Sequence, residues 1–227
     1  MVPLWRIVRK ELRRYAGSNG HRPRILDVGG RKSHYTVGVP ADVWVSDIPR
    51  KSAVQHQLHL GTSDSIIGQI KSRRTNVRHL LYDDMTNSSI RSGTFDGVVS
   101  VEVLEHVERD GDFVREVSRV LKPGGFFLMT TPNGESIVNN NPDHKRHYTR
   151  LQLEELLKQH FSEVRVEYAV RDSKHQAWGL ASWSPRKPVG TLKSMLGNQI
   201  AYRQSSAAAV KIQAIGTHHL IAHARNP

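Results

Sequence analysis

The run FDGVVSVEV, residues 95–103, constrains the fold more than any other stretch of the chain. Phe95, Val98, Val99, Val101 and Val103 put apolar side chains on both faces of one extended segment. Such a strand is covered on both sides, as in a parallel sheet flanked by helices. The neighbouring segments agree. RILDVGG (24–30), DVWVSD (42–47) and NVRHLLYDD (76–84) read as three strands before it, and FFLMTTP (126–132), EVRVEYAV (163–170) and HHLIAHA (218–224) as three after it. Between them, DGDFVREVSRVLKPGG sets Phe113, Val114, Val117, Val120 and Leu121 on one helical face and stops at Pro123-Gly124-Gly125. TRLQLEELLKQHF is a further helix, opened by Thr149 as its cap. Strands and helices alternating at this spacing predict one α/β domain with a doubly wound, parallel sheet.

The remaining segments attach to that core. Residues 1–20 begin with a basic amphipathic helix carrying Leu4, Ile7, Val8, Leu12 and Tyr15, the core spans 22–170, and 217–227 hold the last strand. Residues 171–216 break the rhythm: they are basic, dotted with aromatics, and hold no acid after Asp172. A connection of that length is functional or disordered. Leu192, Met195, Leu196 and Ile200 form one apolar stripe in it, near Lys187, Lys193 and Arg203. Two readings follow: a lid over a pocket, or a surface lying on anionic lipid.

The chain has no cysteine, which removes disulfides, thiolate metal sites and cysteine nucleophiles and fits a reducing compartment. No apolar run reaches the roughly 18 to 20 residues that cross a bilayer. The N-terminus lacks the uninterrupted apolar core of a secretory signal, so a cytoplasmic location is expected. The formal charge of +12 favours anionic partners: RNA, anionic lipid, or a phosphorylated or carboxylated small molecule. Its even spread along the chain is equally that of a basic soluble surface.

In doubly wound sheets, ligands sit beyond the carboxyl ends of the strands, so the residues after each strand carry the chemistry. Asp27 and Gly29 follow the first strand; a glycine there lets backbone approach a ligand closely. Asp47 stands 20 positions after Asp27, at the tip of the second strand. A carboxylate so placed accepts hydrogen bonds from the hydroxyls of a ribose. Asp83 and Asp84 follow the third strand, where an acceptor meets an adenine amino group. The first loop lacks the G-x-G-x-x-G that seats a pyrophosphate. The ligand implied is an adenosine compound without phosphates.

With RILDVGG, VSD, YDD, TFDGVVSVEVLEHV and VSRVLKPGGFFLMTTPN in this order, the chain resembles the class I S-adenosylmethionine-dependent methyltransferases over about residues 22–165. The resemblance implies a Rossmann-like, seven-stranded sheet, mostly parallel, with an antiparallel last strand and S-adenosyl-L-methionine at the carboxyl ends of its first half. By position it places Asp27 and Gly29 beside the methionine moiety, Asp47 with its neighbour Ile48 at the ribose, and Asp83 or Asp84 with Met85 at the adenine. Val101 and Glu102 form the fourth-strand wall. The family usually shows D-x-G-x-G-x-G, whereas Arg31 and Ser33 stand here at the second and third glycine positions. Arg31 either points outward or disfavours the cofactor's cationic groups.

VEVLEHV supplies a second cluster. On a helical turn, Glu102, Glu105 and His106 would share a face. Two carboxylates and an imidazole can bind a divalent ion, and the motif is similar to one in ubiquinone-pathway O-methyltransferases, where the resemblance makes these positions metal ligands. The alternative is a pocket floor with His106 lining the acceptor site. His144, Arg146, His147 and Tyr148 precede the Thr149 helix on the expected acceptor side. His147 or His106 would serve as general base, and His144, Arg146 and Tyr148 would grip the acceptor, including an anionic group on it; the plainer role for HYT is a helix cap. The expected activity is methylation of a small-molecule acceptor, most readily at oxygen. An RNA methyltransferase and a non-catalytic binding protein of the same fold are the rival readings.

Overall fold

The computed structural model describes residues 1–17, 21–48, 75–181, 184, 186 and 188–227. Seven strands form one sheet: β1 Arg24–Val28, β2 Asp42–Asp47, β3 Val77–Tyr82, β4 Phe95–Val101, β5 Leu121–Pro132, β6 Glu163–Arg171 and β7 Thr217–Arg225. Their spatial order is β3-β2-β1-β4-β5-β7-β6. All pairs are parallel except those of β7, which runs antiparallel to both β5 and β6. The order reverses between β1 and β4, and a crevice opens there at the carboxyl ends of the strands. The expected Rossmann-like architecture is thus present, antiparallel last strand included.

Both faces of the sheet are buried, as the apolar fourth strand requires. Along β4, Val98 packs with Leu26, Phe127 and Met129 beneath the helices α2 (Asp110–Val120) and α3 (Arg150–Lys158). Val99 points the other way and packs with Ile25, Val43 and Leu128 beneath α1 (Pro3–Gly17). That helix buries Leu4, Val8, Leu12 and Ala16, the face its periodicity gave. A glycine is required at position 97, where a Cβ would stand 2.2 Å from the Phe126 ring. The helix expected to run to Pro123 ends instead at Val120, because Leu121 already pairs with Phe95 as the first residue of β5. Pro123, Gly124 and Gly125 then form an irregularity inside that strand, with Gly124 at φ 69°. Thr149 caps α3 as expected: Gln152 N donates to its hydroxyl at 3.2 Å while Thr149 N donates to Gln152 Oε1 at 2.9 Å.

The basic insertion holds two helices, α4 (Lys174–Gly179) and α5 (Pro188–Ser205). The side of α5 turned to the protein is small and polar: Ser194, Gly197, Asn198, Ala201 and Ser205. Gly197 comes so close to α4 that a Cβ would lie 2.8 Å from the His175 carbonyl oxygen. The Asn198 amide donates to Gly179 O at 2.9 Å, and the Ser194 hydroxyl donates to the same oxygen at 3.1 Å. α5 also packs on α1 and β6. Lys187, grouped with this stripe from the sequence, lies outside the described residues, as do residues 18–20. Among the described residues no helix is long and apolar enough to cross a membrane.

Candidate functional site

A cavity of about 650 Å³ opens at the switch point. Gly29, Asp47, Asp83, Asp84, Met85 and Glu102 line it, with Ile48, Val101 and His106 beside them. These are the residues picked from the strand ends, with one exception. Asp27 is fully buried beneath the loop and is not on the cavity wall. Its carboxylate accepts from the Tyr35 hydroxyl at 2.8 Å, the Thr36 hydroxyl at 3.4 Å and the Ser33 hydroxyl. Ser33, at a position the family gives to glycine, therefore contributes to a hydroxyl cage that holds the loop over Asp27. Gly30 must be glycine for the same reason, since a Cβ would lie 2.2 Å from the Asp27 carboxyl carbon. Gly29 adopts φ 69° and its missing Cβ leaves room for Val103 Cγ2, which would otherwise be 2.6 Å away.

Arg31 does not point outward. Its Nε lies 3.3 Å from Asp47 Oδ2, and both side chains are nearly buried on the cavity wall. The other oxygen, Oδ1, accepts from the backbone N–H of Ile48 at 2.9 Å. The acid expected to take a ribose is thus already paired with a cation. The two acids after β3 differ in their bonding. Asp84 Oδ1 accepts from Thr86 N at 2.9 Å and from its hydroxyl at 2.8 Å, closing a local turn. Asp83 is buried; Oδ1 accepts from Ser89 N at 3.0 Å, and Oδ2 is buried with no hydrogen-bond partner among the described residues. An orphaned acceptor beside the cavity suits an amino-group donor.

Glu102, Glu105 and His106 do not share a helical face. Residues 104–106 form a single 3₁₀ turn, and Glu102 precedes it with φ 56°. A left-handed conformation at a non-glycine residue costs on the order of 1–3 kcal/mol and tends to persist where function or packing holds it. Here it sends Glu102 across the sheet, where Oε1 accepts from the Thr130 hydroxyl at 2.8 Å and Oε2 lies 3.2 Å from His219 Nδ1. Burial opposes ionisation of Glu102, but His219, Thr130 and His144 outweigh it and hold the carboxyl below its ordinary value. Glu105 behaves oppositely: burial, reinforced by the Glu102 charge, pushes its carboxyl well above the usual range. The Thr131 hydroxyl donates to it at 3.2 Å. The set that comes together with metal-ligand spacing among the described residues is Glu105, His106 and His144, with ligand atoms within 4.8 Å of one another. His144 takes the place expected for Glu102.

His144 also belongs to a wall of histidines. The His106 and His144 rings meet edge to face with centroids 4.6 Å apart, and His144 Nδ1 lies 2.8 Å from His147 Nε2. His147 Nδ1 is 3.1 Å from the Ile137 carbonyl oxygen. A carbonyl only accepts, so His147 carries its proton on Nδ1 and its Nε2 accepts from His144 Nδ1–H. That assignment leaves the remaining lone pair of the pair on His144 Nε2. Burial, then His106 and His147, hold the His144 imidazolium below its ordinary value, so it is neutral near pH 7. Both nitrogens of His147, a residue expected as general base, are thus engaged.

Behind this wall lies a second cavity of about 560 Å³, lined by His144, His147, His218 and His219 together with Asn140 and Asn141. It shares no lining residue with the first. His218 and His219 were not singled out from the sequence, where HHLIAHA reads only as a strand. Antiparallel pairing sets His219 opposite Pro132 and brings them in. Tyr148 and Arg146, expected to grip an acceptor, are bonded to the start of α2. The Tyr148 hydroxyl donates to Asp110 Oδ2 at 2.8 Å and Arg146 Nη1 pairs with the same oxygen at 2.5 Å. Burial and the Asp110 charge raise the Tyr148 phenol above its ordinary value. Among the described residues, none of α4 or α5 lines either cavity.

The family model described as a methyltransferase domain matches residues 49–129. A probable S-adenosylmethionine-dependent methyltransferase of Mycolicibacterium smegmatis is 30% identical over 127 residues, covering 53% of this chain and 46% of that protein. A ubiquinone biosynthesis O-methyltransferase of Xanthomonas oryzae is 32% identical over 113 residues, covering 48% and 43%. The chain thus matches less than half the length of these curated relatives. Among solved structures, a SAM-dependent methyltransferase from Archaeoglobus fulgidus superposes with a TM-score of 0.61 at 16% identity, covering 98% of this chain and 94% of the other. At that identity the likeness speaks for the fold alone. Taken with the sheet order 3-2-1-4-5-7-6 and the acids at the tips of β2 and β3, these matches make the chain similar to the class I S-adenosylmethionine-dependent methyltransferases.

Proposed function

We propose that the chain transfers the methyl group of S-adenosylmethionine to a hydroxyl of a small-molecule acceptor. One observation carries the reading: Gly29, Asp47, Asp83, Met85 and Glu102 surround a single cavity at the switch point. The residues fit the cofactor's chemistry. Asp47 offers a carboxylate to ribose hydroxyls, the orphaned Asp83 Oδ2 offers an acceptor to an amino group, and the loop after β1 lacks the G-x-G-x-x-G of a phosphate cradle, which this cofactor does not need. When bound, the cofactor supplies an activated methyl group on sulfur.

The protein's own work is alignment, exclusion of water and removal of one proton. The acceptor would occupy the histidine-lined cavity, where His144 Nε2 would take the proton of its hydroxyl. His147 fixes the His144 tautomer from behind, and Glu102 faces His219 on the far wall. The likeness to the Xanthomonas oryzae O-methyltransferase supports oxygen over nitrogen as the methylated atom.

The decisive experiment is calorimetric titration of S-adenosylmethionine and S-adenosylhomocysteine into the protein and its Asp47→Asn variant, followed by acceptor screening. Micromolar binding weakened at least tenfold in the variant supports the reading. A folded wild type that binds neither compound overturns it. The Arg31–Asp47 pair favours one rival, a non-catalytic protein that kept the fold. Tight cofactor binding sinks that rival only when turnover accompanies it.

A further inference from the structure

Helix α5 is built inside out. Its small and polar residues face the protein, while Val189, Leu192, Met195, Leu196 and Ile200 face solvent, Val189 being 80% and Leu192 58% exposed. An exposed aliphatic ridge of this size on a soluble fold marks a contact surface. Neither cavity uses it.

Cations stand on both shoulders of the ridge. On one, Lys193 Nζ lies 4.5 Å over the Trp178 ring, with Arg186 and Arg203 exposed nearby in the chain. On the other, the Arg6 guanidinium lies 4.3 Å over the Tyr202 ring and donates to Gln199. There α1 and α5 border a shallow groove of about 420 Å³ lined by Arg6, Arg9, Lys10, Arg13 and Tyr202. Among the described residues, none of these four cations has a carboxylate within ion-pair distance; the one such pair made by α1 is Arg14 with Glu11. Arg9 and Arg13, one turn apart on α1, repel each other while their guanidiniums donate to Val37 O and Gly38 O, and the chain carries no acid after Asp172.

We propose that this face docks on an anionic phospholipid surface, with the α5 ridge entering the headgroup layer and the α1 groove holding lipid phosphates. Aliphatic burial and attraction to anionic headgroups act together in such contacts. The ridge is what distinguishes lipid from RNA, since leucine, methionine and isoleucine offer no stacking or hydrogen bonds to a nucleic acid. A second copy is disfavoured because a two-fold contact over the ridge would set the same cationic shoulders against each other.

Co-sedimentation with phosphatidylcholine vesicles, with and without phosphatidylglycerol, tests this. The full chain is expected to pellet only with the anionic vesicles and to be released by high salt. Leu192→Glu/Leu196→Glu should lower vesicle binding at least tenfold, and so should the surface-charge change Lys193→Glu/Arg203→Glu, with unchanged melting and unchanged S-adenosylmethionine titration. Wild type that stays in the supernatant, or leucine variants that pellet undiminished, overturn the proposal. A concentration-dependent dimer abolished by the leucine change without vesicle binding assigns the face to a second copy. Salt-sensitive binding of a single-stranded RNA, indifferent to the leucine change and unaccompanied by vesicle binding, assigns it to nucleic acid.

Discussion

Arg31 Nε sits 3.3 Å from Asp47 Oδ2, so a residue at a family glycine position is paired with the acid expected to hold the ribose. A ribose that hydrogen-bonds Asp47 must share or displace that guanidinium, whose charge also opposes a cationic sulfonium. Arg31→Gly should therefore tighten S-adenosylmethionine binding by about fivefold, on the order of 1 kcal/mol. The opposite sign, measured by calorimetry, would make Arg31 itself a cofactor ligand.

The pairing shows where sequence reading stops. Asp47 was legible because a strand ending in an acid fixes the position of its tip. The reach of Arg31 was not, since it depends on the path of a loop that Ser33, Tyr35 and Thr36 anchor to Asp27. Those three hydroxyls lie 6 to 9 residues beyond the acid, outside any familiar motif. His218 and His219 were illegible for another reason: antiparallel pairing of distant strands carries them to the His144 side. For α5, periodicity gave the stripe of Leu192, Met195, Leu196 and Ile200 but not its direction. The close fit of Gly197 against α4 and the bonds of Ser194 and Asn198 to Gly179 O fix that.

His144 is held below the ordinary imidazole value by burial and by two neighbouring histidines. If it removes the acceptor proton, it works when neutral. The rate kcat/KM should then rise with pH along a limb whose midpoint lies under about 6.5. His144→Gln should remove the limb and lower kcat by about 100-fold. His147→Gln should shift the limb rather than abolish it, because His147 only orients its neighbour. A profile unchanged in His144→Gln assigns the base elsewhere.

Glu105 has the opposite character. Its carboxyl is raised in the fold, so the folded state binds a proton more tightly than the unfolded chain does. Stability from this group is complete below the unfolded value of about 4.3 and is lost as pH rises through the folded one. Glu105→Gln, which keeps an acceptor for Thr131, should raise the melting temperature at pH 7 and leave it unchanged near pH 4. Thermal melts across that range decide it: a loss that is larger at pH 7 than near pH 4 would mean that Glu105 is ionised in the fold.

Gly97 faces the Phe126 ring from the neighbouring strand, with no room for a methyl group. Gly97→Ala should destabilise the domain by about 1–3 kcal/mol through overpacking. Urea unfolding would show it as a lower midpoint at constant slope. A neutral substitution would mean that Phe126 and Tyr15, stacked at 4.0 Å, slide together without cost.

The His106–His144 contact divides two cavities that share no lining residue. For a two-substrate reaction this partition has a kinetic meaning. Direct transfer requires the methyl group and the acceptor oxygen to meet, so in the proposed reaction the two rings have to turn aside before each transfer, and that movement joins the steps that set the rate.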